Sequence, residues 1–260
     1  MSDTVTHAPG TFCWVDLATT DAGAAQDFYT RLFGWTAEDV PTDQGVPYTM
    51  LHNQGRHVCA LFPLGPDMGD QPRWQAYVSV EDADSAVESA AALGGRVLMP
   101  PMDVMNAGRM AAIKDPTGAV FCLWQPGEHA GAELQNAPGS QCWLELQTGD
   151  TARAEGFYNG LFGWTAKVSQ SVMEGQYQSF VSAGREVAGM MEIGDDWGPV
   201  PPNWAVYFCV EDCDACVAEA ERLGGKTLFP AMTIPDVGRF AFLQDTEGAG
   251  FAVIQLSCAS

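Results

Sequence analysis

Basic residues are scarce in this chain. Lysine and arginine together number 12 among 260 residues, whereas aspartate and glutamate number 33, so the formal net charge is −21. Proteins that bind nucleic acids or anionic membranes need clustered basic side chains to neutralise phosphates. The charge balance therefore argues against both kinds of partner, and it suits a cationic ligand through electrostatic steering.

Long apolar runs and a secretion signal are also missing from the sequence. No stretch approaches the roughly 18 consecutive apolar residues of a membrane-spanning helix. Residues 1–10 hold no basic region followed by an apolar run, so we expect no signal peptide and a cytoplasmic location. Eight cysteines without such a signal indicate reduced thiols rather than a disulfide scaffold. With 47% hydrophobic residues, the chain can still bury a core.

An internal repeat is the most informative feature that is present. Residues 14–37 read WVDLATTDAGAAQDFYTRLFGWTA, and residues 143–166 read WLELQTGDTARAEGFYNGLFGWTA. Later motifs return at nearly the same spacing: Trp74-x-x-Tyr77 as Trp204-x-x-Tyr207, Leu93-Gly94-Gly95 as Leu223-Gly224-Gly225, and Gly108-Arg109 as Gly238-Arg239. We therefore predict two copies of one domain, at 8–126 and 140–257, joined by a Pro- and Gly-containing linker at 127–139.

Each copy contains a smaller pattern twice. An alternating apolar run at Phe12–Leu17 predicts a strand, and Asp21 can cap the following helix, which Gly34 ends. Three strand-like runs come next, and the pattern then recurs between Gln75 and Trp124. We predict an α+β fold of four βαβββ units, with helices outside curved mixed sheets that form clefts.

These motifs resemble the vicinal oxygen chelate superfamily, which includes glyoxalase I, extradiol dioxygenases and bleomycin-resistance proteins. The residues that carry the resemblance are Trp14-Val15-Asp16-Leu17…Asp21, Phe28-Tyr29…Leu32-Phe33-Gly34-Trp35 and Asp115-Pro116-Thr117-Gly118, with matching segments in the second copy. These versions look most similar to tandem glyoxalase-like proteins of actinobacteria, some of which are labelled hydroxylases. The resemblance implies a fold, and a shared fold does not by itself determine the reaction.

The resemblance also implies where a divalent metal would bind. Family enzymes hold it with four side chains, usually His, Glu, His or Gln, and Glu, one from each βαβββ unit. Carried over motif by motif, the positions fall on Trp14, Ala60, Gln75 and Cys122 in the first copy, and on Trp143, Gly189, Ala205 and Ala252 in the second. Pairing across the copies, as in relatives, would group Trp14 and Ala60 with Ala205 and Ala252, and Trp143 and Gly189 with Gln75 and Cys122. Neither group supplies enough donors for Mg, Mn, Fe or Zn, so we expect no metal and no cofactor.

Asp16 and Glu145 are the candidate catalytic residues. Each lies two positions beyond a tryptophan at a former ligand position, so strand alternation places the acid and the indole on one face. A carboxyl group that points into a cleft could act as general acid or base without a metal. The alternative is a structural role, in which the carboxylates bind backbone groups or pair with Arg109 and Arg239.

Four tryptophans are candidates for the aromatic walls of a ligand cleft: Trp14, Trp74, Trp143 and Trp204. Gln75 and Cys122 complete the predicted ligand-binding set, since they lie at former metal positions. The alternative is that the indoles only fill the space once occupied by ligand and metal.

Together these features favour a metal-free member of the family that binds a small apolar or aromatic metabolite or antibiotic. The alternative is a metal-independent hydroxylase, isomerase or lyase that uses Asp16 or Glu145 as acid or base. A metal-dependent glyoxalase or dioxygenase is the third interpretation, and the missing ligands argue against it. We expect a monomer, through pairing of the chain's own two domains, or a homodimer.

Overall fold

Four βαβββ motifs follow one another along the chain, which confirms the predicted α+β architecture. The structure, a computed structural model, describes residues 6–42, 45–66, 68–169, 177–194 and 197–257. The helices are α1 (Ala22–Phe33), α2 (Ala83–Ala92), α3 (Thr151–Phe162) and α4 (Cys213–Arg222). The first-half strands are β1 (Phe12–Thr19), β2 (Thr36–Val40), β3 (Tyr48–Asn53), β4 (Arg56–Pro63), β5 (Arg73–Ser79), β6 (Arg96–Val104), β7 (Gly108–Lys114) and β8 (Val120–Pro126). The second-half strands are β9 (Ser140–Thr148), β10 (Thr165–Val168), β11 (Tyr177–Ser182), β12 (Arg185–Glu192), β13 (Asn203–Cys209), β14 (Lys226–Ile234), β15 (Gly238–Gln244) and β16 (Gly250–Leu256).

The strands form two mixed eight-stranded sheets, one from each half of the sequence. Their orders are β2-β3-β4-β1-β5-β8-β7-β6 and β10-β11-β12-β9-β13-β16-β15-β14. Within each motif the first strand runs parallel to the last, so that Asp16 pairs with Ala60 and Glu145 with Gly189. The other strands of each motif pair in antiparallel fashion.

The chain also divides into two compact units, and these do not follow the halves of the sequence. Unit 1 comprises Met1–Trp14, Ala76–Gly131 and Leu144–Trp204. Unit 2 comprises Val15–Gln75, Ala132–Trp143 and Ala205–Ser260. Each unit therefore combines most of one βαβββ motif from the first half with most of one from the second. The predicted domain and linker boundaries stay a prediction.

Local capping explains why α1 and α3 begin and end where they do. The Asp21 carboxylate accepts a hydrogen bond from the backbone N–H of Ala24, and Asp150 does the same for Arg153. Gly34 and Gly163 end the helices in the left-handed conformation, with φ of 70° and 71°. Glycine adopts this conformation without the steric cost that a Cβ imposes.

None of the helices in the described part of the chain has both the length and the apolar character that a membrane span requires.

A buried polar network in unit 1 explains two of the repeated motifs. The Tyr158 hydroxyl of α3 accepts a hydrogen bond from Trp204 Nε1 at 2.9 Å and donates to Asp115 Oδ2 at 2.8 Å. The other carboxylate oxygen of Asp115 accepts the backbone N–H groups of Thr117, Gly118 and Ala119. The network thus ties a first-half turn to a second-half helix and strand inside one unit.

Unit 2 repeats this network with the second turn. Tyr29 of α1 donates to Asp245 at 3.0 Å and accepts from Trp74 Nε1 at 3.1 Å. Burial, and then the charge of the neighbouring aspartate, raise the pKa of Tyr29 and of Tyr158 well above the ordinary tyrosine value. Both phenols therefore remain protonated donors at neutral pH.

The repeated Gly-Arg pairs begin β7 and β15. A Cβ on Gly108 would lie 2.6 Å from both the Trp124 ring and the Gln125 carbonyl oxygen, so this position excludes a side chain. The following Arg109 donates two hydrogen bonds to Asp84 in the first turn of α2, at 2.8 and 3.0 Å. Arg239 contacts Asp214 of α4 in the same way. These arginines therefore anchor helices, and they form ion pairs with the surface aspartates Asp84 and Asp214 rather than with Asp16 or Glu145.

Candidate ligand-binding sites

Asp16 lies in a buried polar site in unit 2. It is 1% exposed, and β1 presents it beside Ala60 of β4. Its two carboxylate oxygens accept hydrogen bonds from the Tyr48 hydroxyl at 2.9 Å and from Gln75 Nε2 at 3.0 Å. The structure thus brings together two predicted site residues, Asp16 and Gln75, and adds Tyr48, which the sequence analysis did not single out.

Partly exposed aromatic rings lie beside this carboxylate. The rings of Tyr48 and Phe62 stack with centroids 5.9 Å apart, and both side chains are half-buried. Cys59 precedes Ala60 on β4 and therefore points to the opposite face of the strand. Burial, and then the charge of Asp16, raise the pKa of the Cys59 thiol. Tyr48 and Phe62 thus place a partly exposed apolar surface beside an oriented carboxyl group.

Glu145 occupies the matching position in unit 1. It is buried, and Gln147 Nε2 donates to its carboxylate at 3.2 Å. Asn203 in turn donates to the Gln147 side-chain oxygen at 3.2 Å. Gly189 of β12 pairs with Glu145 of β9. Each acid therefore accepts a hydrogen bond from a glutamine side chain, Gln75 for Asp16 and Gln147 for Glu145.

Trp74 and Trp204 lie away from these carboxylates. Each donates its indole N–H to a buried helix tyrosine, Tyr29 or Tyr158, and its ring packs edge-on against that tyrosine ring. Trp74 precedes Gln75 on β5, and neighbouring strand residues point to opposite faces. Ligand contact by Trp74 and Trp204 stays a prediction, and their packing with the tyrosines matches the space-filling alternative.

Trp14 and Cys122 are buried in unit 1. The Trp14 ring contacts the His129 ring edge-on with centroids 4.6 Å apart, and Trp124 donates to the His129 backbone oxygen at 2.9 Å. Cys122 is 1% exposed and pairs with Tyr77 across β8 and β5. The structure therefore places both predicted residues in this unit, among other aromatic side chains.

Trp143 belongs to an aromatic face on unit 2. Tyr207, Ala252, Phe242 and Phe229 lie in one row across four neighbouring strands. Ile254, Phe240 and Met232 form the next row. Trp143 and Phe242 are partly buried against the core of this face, and Phe229 is 42% exposed. We call Trp143, Tyr207, Phe229, Met232, Phe240 and Phe242 the aromatic face.

The rings of the aromatic face contact one another closely. Tyr207 meets Phe242 edge-on, with centroids 5.4 Å apart, although Ala252 separates them in the row. Phe240 stacks on Phe229 at 6.1 Å. Because the Ala252 side chain is small, the Tyr207 and Phe242 rings contact each other and form a continuous apolar surface. Such a surface is typical of ligand pockets, which are mostly apolar with few polar groups.

The positions that correspond to the family's metal ligands do not fit a metal ion. Ala252, a former ligand position, lies beneath the Tyr207–Phe242 contact, and Ala60 and Gly189 carry no donor atom. Within the described ranges, no group of three or more His, Cys, Asp or Glu side chains could hold a metal ion. These sites therefore offer hydrogen bonds and apolar contacts in place of metal coordination.

The grouping of these positions across the copies stays a prediction. The strand order places β1 and β4 in the same sheet as β5 and β8, and β9 and β12 with β13 and β16. Trp14 and Ala60 therefore share a sheet with Gln75 and Cys122, whereas Ala60, Ala205 and Ala252 belong to one compact unit. Within the first sheet, β1 contacts β5 through the Asp16–Gln75 and Ser79–Thr11 hydrogen bonds.

Comparison with known proteins establishes the class to which this fold and these sites belong. The sequence model of the glyoxalase/bleomycin resistance protein/dioxygenase superfamily matches residues 11–123 and again residues 140–253. The chain therefore belongs to this superfamily and carries its domain twice, as the repeat predicted.

Individual relatives cover nearly the whole chain. It is 43% identical over 254 residues to the "Putative glyoxylase CFP32" of Mycobacterium tuberculosis, and the match spans 96% of both proteins. It is 39% identical over 264 residues to the anthracycline biosynthesis protein DauV of a Streptomyces species, across 96% of this chain and 94% of that protein. These relatives come from actinobacteria, in agreement with the predicted resemblance.

Solved structures share the fold at much lower identity. The 2,3-dioxygenase LapB from Pseudomonas sp. KL28 superposes with a TM-score of 0.66 at 13% identity, covering 97% of this chain and 94% of that one. A Mn(II)-bound glyoxalase from Novosphingobium aromaticivorans gives 0.65 at 15% identity, covering 95% and 82%. Likeness at this identity supports the fold and does not extend to the reaction.

Proposed function

We propose that this protein binds a small, planar aromatic metabolite on the aromatic face of unit 2. The observation that carries the proposal is a group of partly exposed rings around Ala252, a position at which the resemblance places a metal ligand in the family. Trp143, Phe229 and Phe242 are each partly open to solvent, while Tyr207 and Phe240 of the same face are buried. In this proposal Trp143 keeps the ligand-binding role predicted from the sequence.

Stacking and apolar burial supply the affinity in this proposal. Aromatic pairs contribute roughly 0.5–1.5 kcal/mol beyond the burial of their area. Apolar surface removed from water contributes about 25 cal/mol per Å² in addition. A fused ring system contacts several of these rings at once, whereas a small aliphatic molecule contacts few. The face is therefore suited to a flat, polycyclic ligand.

The relatives support this choice of ligand class. Two proteins named for anthracycline biosynthesis are 39% identical to this chain in sequence, over an alignment that covers 94% of each of them. Anthracyclines contain fused, planar aromatic rings. The net charge of −21 would also attract a cationic ligand during the encounter. Binding of this kind needs no nucleic acid, membrane or metal ion, and we place it in the cytoplasm.

A titration with a fluorescent anthracycline tests the proposal. Phe229→Ser removes one exposed ring of the aromatic face, and we expect it to weaken binding roughly fivefold to tenfold, the equivalent of about 1–1.4 kcal/mol. Leu228→Ser is the matched control, since this neighbour is 56% exposed and lies outside the aromatic face. Equal effects of the two substitutions, or no binding by the unmodified protein, would contradict the proposal.

The Asp16 site favours a second candidate function, metal-independent acid–base catalysis. The carboxyl group is buried and oriented by Tyr48 and Gln75, as a positioned proton donor or acceptor requires. Glu145 offers the second such group, oriented by Gln147. In this proposal the acid moves a proton on a ligand held against the neighbouring rings.

Turnover separates catalysis from simple binding. After incubation with the anthracycline, mass spectrometry of the ligand would reveal any product. We expect Asp16→Asn to abolish turnover while leaving affinity within about twofold, because the amide keeps the side-chain shape. Glu145→Gln is the matched variant for the second acid. Absence of any product with the unmodified protein would leave binding as the function and overturn the catalytic candidate.

A further inference from the structure

Methionine is concentrated on one hairpin of the first half. The chain has 11 methionines, and Met99, Met102, Met105 and Met110 all lie on the β6–β7 hairpin. Three of them follow the spacing Met-x-x-Met-x-x-Met. Met102 is 36% exposed and Met105 46% exposed, so these thioethers are open to solvent rather than buried in the core.

Strand register brings three of these side chains to one face. Met102 pairs with Met110 across the antiparallel strands, and Met99 pairs with Ala112. The register shifts between Met99 and Met102, where Pro100 and Pro101 intervene. Such a bulge lets residues three apart point to the same side. Directly opposed residues have Cβ atoms about 5 Å apart, and small Ala112 leaves room for the Met99 side chain.

The second half provides an internal comparison for this hairpin. There Phe229, Met232, Pro235 and Phe240 occupy the positions of Met99, Met102, Met105 and Met110. Phenylalanine meets the requirement for an apolar surface at two of these positions. What distinguishes the first hairpin is therefore its sulfur atoms.

We propose that the β6–β7 hairpin binds one soft monovalent cation, Cu(I), through the thioethers of Met99, Met102 and Met110. Thioether sulfur is a soft, polarizable ligand that selects Cu(I) over Zn(II), Mg(II) or Mn(II). Because a thioether carries no proton, binding releases none, and the affinity stays constant across the pH range in which histidine or thiolate sites lose metal. The site is independent of the aromatic face and of its proposed ligand.

Competition against the Cu(I) chelator bicinchoninate, under anaerobic reducing conditions, tests this site. We expect the full chain to take one Cu(I), confirmed by native mass spectrometry, with the same affinity at pH 6 and pH 8. The double variant Met102→Leu/Met110→Leu should lose at least about tenfold in affinity. Met232→Leu, at the corresponding position of the second hairpin, should bind as the unmodified chain does.

Three results would overturn the proposal. The first is failure of the unmodified chain to take Cu(I) from bicinchoninate, and the second is equally tight binding by the double variant. The third is loss of binding in Cys122→Ala together with an affinity that falls as the pH drops, which would assign the copper to a thiolate instead. Circular dichroism melting of each variant verifies that the hairpin substitutions leave the fold intact.

Discussion

Tyr158→Phe is the most direct perturbation of the network that holds unit 1 together. The Tyr158 side chain is fully buried, and its hydroxyl joins Trp204 to Asp115 at 2.9 and 2.8 Å. Removing it deletes a hydrogen bond to a carboxylate, which costs roughly 1.5–3 kcal/mol, and leaves the Trp204 N–H buried without this acceptor, at about 1–3 kcal/mol more. We therefore expect a loss of about 3–5 kcal/mol in the free energy of unfolding.

Calorimetric melting measures this loss. For a chain of this size 1 kcal/mol corresponds to a shift of about 2–4 °C, so Tyr158→Phe should lower the Tm by roughly 10 °C. Tyr29→Phe should behave alike, since Tyr29 makes the same contacts to Trp74 and Asp245 in unit 2. Tyr48→Phe is the comparison variant, because Tyr48 is only half-buried, so water can reach the site more readily and we expect a smaller loss. A Tm within about 2 °C of the unmodified protein for Tyr158→Phe would refute this reasoning.

Two further predictions follow from the titratable groups. The Arg109 guanidinium lowers the pKa of Asp84 below its ordinary value, so the pair's stabilisation is fully present above about pH 4 and is lost as the pH falls through the lowered pKa. Circular dichroism melting should show Arg109→Gln less stable than the unmodified protein at pH 7 and equal to it near pH 2, and a constant difference would contradict the assignment. Burial raises the pKa of Cys13 to about 12 and that of Cys59 well above its ordinary value. Iodoacetamide at pH 8 should therefore leave both thiols unmodified until the protein unfolds, as peptide mass spectrometry can verify; rapid labelling of the native protein would contradict their burial.

Signals confined to neighbouring residues predicted the fold well. Helix α1 begins after Asp21 and ends before Gly34 because a capping carboxylate and a left-handed glycine act within one turn. The three strand-like runs predicted after Gly34 correspond to β2, β3 and β4. Duplication strengthened these predictions, since each signal recurs in the second half.

The site was harder to predict because it depends on residues far apart in the sequence. Tyr48 reaches Asp16 only when β3 and β4 fold beside β1, and no local motif marks that contact. Trp74 and Gln75 were both predicted to bind ligand, yet adjacent strand residues point to opposite faces, and this signal was available in the sequence. The ion pairs of Arg109 and Arg239 could also have been predicted from the sequence, because their partner Asp84 recurs as Asp214 in the repeat.

A crystal structure of the protein soaked with an anthracycline tests the central claim most directly. We predict electron density for a planar ring system against the aromatic face, in contact with Trp143, Phe229 and Phe242. The same soak of Phe229→Ser should show weaker or no density there, with Leu228→Ser as the matched control. Density for the ligand elsewhere, with the aromatic face solvent-filled, would contradict the proposed function.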